Sequence, residues 1–338
     1  MVIFKKYRTL IFALVATLVL TILFFIALLV GRYSITLNVF WNILSGNPNV
    51  SAIDRNIVIN LRMPRTIVAL LTGTALSLSG LVYQEIFNNK LVSPDLLGVS
   101  SGASVGAAFA IVIGFTGAIV SAFSFIFGFI TVFLTLSLTK LFKSRSAVFL
   151  LLAGVIIGGF MSSATGLFKY LATSDRQLAE ITFWLLGSFA STTMTNVLVL
   201  LPVVVICTIV LIILRWRINI LALGRNEAES LGVNYRLLRF IVIICATLLT
   251  ASTVAISGII GWIGLIVPHI SRLIVGRNTK KTIPLTILVG AIFMLVVDII
   301  SRSFTSTEIP LSVVTGFLGT PIFIVILFVR RGIVSERD

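Results

Sequence analysis

The chain has 338 residues, 58% of them hydrophobic and only 11% charged, with a formal net charge of +15. Several apolar runs exceed the ~20 residues that cross a bilayer core, which excludes a soluble globular protein. The basic excess does not mark a nucleic-acid binder, because Lys and Arg sit at the ends of apolar runs, where they set topology.

Taken in order, the sequence predicts an all-α polytopic membrane protein of about ten spans, over 10–31, 62–86, 96–114, 117–139, 147–170, 194–215, 236–256, 258–273, 282–303 and 310–330. The first run follows a basic stretch, is too long for a signal-peptide core and lacks a small-residue cleavage end. With the N-terminus inside, Lys5, Lys6, Arg8, Lys90, Lys140, Lys143 and Arg145 are cytoplasmic, as are most later basic residues through Arg330, Arg331 and Arg337. Outside fall Arg32, Arg55, Arg62, Arg65, Lys169, Arg176 and Arg302. This bias places both termini in the cytoplasm. Residues 32–61 read as an outer loop with turn chemistry at Gly46-Asn47-Pro48-Asn49. Residues 171–193 open on Ser174-Asp175, an N-cap pair ahead of a short amphipathic surface helix. No long soluble domain is predicted, so 1–338 reads as one transmembrane domain. Its first half runs to about 215, a polar segment covers 218–233, and the second half covers 236–331.

Two spans are broken. Asn88 to Asp95 separates the second and third spans, and the third then carries Gly98, Ser100, Ser101, Gly102, Ser104 and Gly106. Small residues let helix backbones approach, and hydroxyls cross-link helices or line a wet cavity. Pro268 leaves only 259–267 uninterrupted in the eighth span, so that piece must be shielded by protein. A broken segment in each half points to a transport pathway and to two inverted-topology halves. Leu78-Ser79-Gly80 and Ile256-Ser257-Gly258 give a faint echo between them.

The polar segment reads INILALGRNEAESLGV, with small residues, a charged centre and leucines. Leu221, Leu223, Ala228 and Leu231 give one or two short helices an apolar side, with Gly224 and Gly232 as C-terminal stops. That suits docking into a partner's groove, against the plainer reading of a solvated loop. No GxxxxGK[ST] loop is present, so the chain does not hydrolyse nucleotide itself, and no catalytic constellation is found. His269 has no second ligand nearby and reads as a capping or packing residue, and Cys207 and Cys245 as packing residues. Few ionisable groups lie in the spans, chiefly Glu85 and Asp298, which counts against an ion-coupled carrier. Arg62, Arg65, Arg302 and Glu308 read either as interfacial residues or as a charged docking rim.

Five pieces then carry a resemblance: LRMPRTIVALLTGTALSLSG at 61–80, LVSPDLLGVSSGASVG at 91–106, LALGRNEAESLGV at 221–233, SGIIGWIGLIVPHISRL at 257–273 and EIPLSVVTGFLGTPIFIVIL at 308–327. In this order they resemble the permease subunits of bacterial ABC importers for iron–siderophore complexes, haem and cobalamin, the FecCD-type family. The resemblance covers about 60 to 330. It implies a cobalamin-permease-like fold, paired with a second permease subunit, identical or homologous, around a pathway for an iron(III)–siderophore complex. Haem or cobalamin is the alternative cargo, and an ion-coupled secondary carrier acting alone the remote one. It also implies two copies of an ATP-binding subunit that hold ATP and Mg, so that this chain binds no cofactor or metal. An extracytoplasmic substrate-binding protein docks from outside, and the assembly sits in a bacterial cytoplasmic membrane.

Carried over by motif, Leu223, Gly224, Arg225, Glu227, Ala228, Leu231, Gly232 and Val233 would be the ATPase-coupling element. Arg62, Arg65 and Arg302, with Glu308, would meet the binding protein. Gly98, Ser100, Ser101, Gly102, Ser104 and Gly106 would flank the pathway. The implied mechanism is alternating access by rigid-body movement of paired subunits.

Overall fold

The apolar runs of the sequence become helices. A computed structural model describes residues 2–142 and 146–335, with side chains described at 9–142, 146 and 148–329. Lys143, Arg145 and Arg337, and the side chains of Lys5, Lys6, Arg8, Arg330 and Arg331, lie outside the described residues.

The helices run α1 (Val2–Leu29), α2 (Leu37–Leu44), α3 (Ala52–Asn56), a π-helical segment (Ile57–Arg62), α4 (Met63–Ile86), a 3-10 turn (Pro94–Leu97), α5 (Val99–Ile113) and α6 (Ala118–Leu141). There follow α7 (Ala147–Tyr170), α8 (Asp175–Leu186), α9 (Met194–Leu221), α10 (Arg225–Ser230), α11 (Tyr235–Ser257), α12 (Ile263–Val275), α13 (Thr279–Ser303) and α14 (Leu311–Ser335). Among the described residues, eight helical stretches are long and apolar enough to cross a membrane, and the shorter apolar helices α5 and α12 stand where the third and eighth spans are predicted. Ser174 caps α8 as expected, accepting from the Gln177 amide at 3.3 Å. The segment 32–61, predicted as an outer loop, is not a loop. It holds α2, α3 and the π-helical segment, the last running straight into α4.

Helix α4 is the hub, buried along most of its length and packed on α9, α11, α12 and α13. Its glycines explain how. A Cβ on Gly80 would overlap the Gly264 carbonyl of α12, and one on Gly73 the Gly290 carbonyl of α13. With lipid on the outside there is little hydrophobic drive between helices, so close backbone packing supplies it. Hydroxyls add cross-links: Ser79 Oγ donates to the Ala246 carbonyl at 3.0 Å, and the Tyr83 and Thr247 hydroxyls meet at 3.0 Å.

The break in the eighth span is not at Pro268. That residue lies inside α12, and the chain is irregular before it, at 258–262, where Trp262 has φ 72°. Proline lacks the amide that would bond the Gly264 carbonyl one turn back. Gln84 Nε2 of α4 donates to that carbonyl instead, at 3.3 Å. The proline is thus accommodated by a side chain from the hub helix, which keeps the half-helix intact.

Two bonds define the ends of the bundle. Arg65 at the start of α4 meets Asp298 late in α13, while Thr279 Oγ1 at the start of α13 donates to the Arg215 carbonyl late in α9. The connector 222–234 therefore sits at one end, and Arg62, Arg65 and Arg302 at the other.

Candidate functional site

The connector is built on a single short helix. Gly224 is its N-cap, at φ 108°, and Glu227 occupies the third helical position, where its side chain reaches back over Gly224. A Cβ at Gly224 would lie 3.0 Å from Glu227 Oε2, in a backbone conformation that favours glycine. Gly232 ends α10 at φ 73°, with its amide on the Glu229 carbonyl at 3.1 Å and the Val233 amide on the Ala228 carbonyl at 3.0 Å. This is the Schellman closure, so Gly232 is the predicted stop, whereas Gly224 starts the helix. Arg225 and Glu229 pair at 2.7 Å across one turn.

The apolar residues do not share one side, as the sequence predicts they should. Leu221, Ala228 and Val233 turn inward and are buried, anchoring α10 to α9 and α11. Leu223 and Leu231 stand outward, 59% and 58% exposed. The connector presents a glycine-bounded knob with two leucines at its surface, and a 410 Å³ hollow beside it is lined by Arg225, Glu229, Asn234 and Arg236.

Near the same end lies an ionic cluster that sequence reading saw only as an isolated Glu85. Lys90 Nζ lies 2.9 Å from Glu85 Oε1, and Arg272 Nε of α12 lies 3.4 Å from it. Arg272 also donates to Gln84. These contacts fasten the bend after α4 to α12. Burial pulls the Lys90 ammonium below its ordinary range, while Glu85 opposes that by stabilising the charge. His269 bonds the Leu265 carbonyl at 2.8 Å and meets the Phe323 ring edge-on, a packing role.

The run from Gly98 to Gly106 is chiefly a packing seam. A side chain on Gly98 or Gly102 would strike Thr131, and one on Gly106 the Phe123 carbonyl, all on α6. Ser100 donates to Asp95, and Ser104 Oγ to the Ser100 carbonyl at 2.7 Å. Gly98, Ser100, Gly102, Ser104 and Gly106 are buried within the chain; Ser101 alone of the six keeps some exposure, facing Ser162 of α7 at 3.4 Å. The open small-residue face is on α7, where Gly159, Ser162, Ser163 and Gly166 are exposed and a Cβ at Gly159 or Gly166 would meet nothing. Its signal, paired small residues every three or four positions, was present in the sequence.

At the opposite end the arginines face inward. Arg62, 6% exposed, closes the π-helical segment and donates to the carbonyls of Leu28 (2.9 Å), Leu29 (2.6 Å) and Tyr33. Arg65, 8% exposed, bonds Asp298 at 2.7 Å and Glu308 at 2.6 Å. Arg302 lies 3.3 Å from the second Asp298 oxygen and donates to the Ala27 carbonyl. Buried ions need partners, and these find them within their own chain. The arginines are therefore not an exposed rim; they hold α1, α4, α13 and the 304–310 turn together, and only Glu308 of the four retains appreciable exposure.

A bundle with a buried hub helix, two half-length helices fastened inside it and a capped connector at one end has the architecture of a membrane transport protein. The chain belongs to the FecCD transport family, whose model matches residues 19–329. It is 39% identical over 337 residues to the molybdate import system permease of Haemophilus influenzae, covering 98% of this chain and 99% of that one. With the iron chelatin transport system permease of Helicobacter pylori it shares 38% identity over 289 residues, covering 82% and 84%. A solved structure described as an inward-facing metal-chelate type ABC transporter superposes with a TM-score of 0.85 at 39% identity, over 94% of this chain and 98% of that one.

Proposed function

We propose that this permease, in a bacterial cytoplasmic membrane with both termini inside, forms with a second permease subunit the pathway of an ATP-driven importer for an iron(III)–siderophore complex. The observation that carries the importer reading is the connector: two exposed leucines on a knob whose base is locked into α9 and α11. A groove on each of two ATP-binding subunits would seat Leu223 and Leu231, and closure of those subunits on ATP and Mg would move the knob and the bundle with it. The exposed small-residue face of α7 would border the pathway between the paired subunits, with Ser101 contributing from α5. A substrate-binding protein would dock on the 304–310 turn. There Arg65 would act by positioning Glu308, rather than by meeting the partner itself.

The iron-chelate relatives and the metal-chelate neighbour support the siderophore cargo; the full-length molybdate relative favours a second reading, an oxyanion. Proteoliposomes holding the complete transporter separate the two. ATP-dependent accumulation of radioactive iron presented as a siderophore complex, unaffected by excess molybdate, is the expected result. Uptake of molybdate, haem or cobalamin with no iron uptake would replace the cargo and leave the importer reading standing.

A further inference from the structure

Helix α2 has an apolar face that neither the bundle nor the transport reading uses. At about 100° per residue, its eight positions fall into three sectors of roughly equal width. Val39, Phe40 and Ile43 pack into a small core with Leu28, Ile35 and Val58. Asn38 and Asn42 form a polar sector. Leu37, Trp41 and Leu44, 63%, 65% and 51% exposed, form the third. A helix lying between protein and water needs only two kinds of face. A third that is apolar and carries a tryptophan calls for an apolar neighbour.

The position of α2 identifies that neighbour. The Phe40 ring meets Phe25 edge-on at 6.2 Å between centroids. Phe25 belongs to a long exposed apolar face of α1 that includes Leu14, Leu18 and Ile22, the face a span turns to lipid. Helix α2 thus lies beside the end of a lipid-facing belt, and the exposed Arg32 and Arg55 stand before and after it in the chain. We propose that α2 is an interfacial helix that buries Leu37, Trp41 and Leu44 in the leaflet at the arginine end of the bundle. Because Arg62 clamps the carbonyls of Leu28, Leu29 and Tyr33, the anchored helix also fixes the depth of α1 and α4 in that leaflet.

The test compares the full chain with a Trp41→Phe variant in phosphatidylcholine vesicles, the difference in emission being that of Trp41. Lipids brominated just below the headgroup should reduce this signal about twofold or more, while aqueous iodide leaves it nearly unchanged. Quenching by iodide and not by bromolipid would overturn the proposal, and so would protection from both, which would mean that protein covers the face. A nitroxide on Leu44→Cys gives an independent reading, since Cys207 and Cys245 are buried. Faster collision with oxygen than with a water-soluble nickel chelate is expected, and the reverse would overturn it.

Discussion

Replacing Leu223 and Leu231 together by aspartate is expected to lower ATP-driven uptake at least about tenfold, equivalent to ~1.4 kcal/mol or more of lost coupling. The fold should be unaffected. Both side chains are more than half exposed, and the contacts that seat the connector come from Leu221, Ala228 and Val233. Melting and gel-filtration behaviour of the purified variant should match the parent, while its ability to retain an ATP-binding subunit is lost. A variant that folds and transports normally would show that the two leucines do not dock. Substitution of Gly224 is a less specific probe, because at φ 108° any side chain strains the start of α10 as well as crowding Glu227.

The second large effect is expected at Asp298. This carboxylate is fully buried and faces both Arg65 and Arg302. Asp298→Ala leaves two buried guanidinium groups short of a partner, a loss of about 3–5 kcal/mol when one member of such a pair is removed. Melting of the purified chain should fall sharply, together with its yield in membranes. Combining Asp298→Ala with Arg65→Met should cost less than the two changes summed, since each removes the other's unpaired charge. Strict additivity would mean that the pair contributes no mutual stabilisation. The same burial revises an expectation from sequence: reversing Arg62 or Arg302 to glutamate should damage folding and not merely weaken binding-protein docking.

What sequence could and could not show follows from the range of the interactions. Span positions were legible because each depends on about 20 consecutive residues, and the α8 start because Ser174 caps its own helix. The connector was legible as polar, small and glycine-bounded. Its orientation was not, since whether Leu223 or Ala228 turns inward depends on α9 and α11. The eighth span showed its proline, but the break lies upstream because Gln84, remote in the chain, accommodates the lost bond. Arg62, Arg65 and Arg302 were read as outward-facing; their partners at Ala27, Leu28, Asp298 and Glu308 come from other elements, so their inward turn was not legible. Helix α2 was missed because eight residues in three sectors lack the simple two-sided pattern that marks an amphipathic helix.

Purification of this chain from its native membrane in mild detergent, with identification of what travels with it, tests the importer account most directly. Recovery of an ATP-binding subunit, lost in the Leu223→Asp, Leu231→Asp variant, is the predicted result. Recovery of the chain alone, still carrying substrate into vesicles without nucleotide, would contradict it.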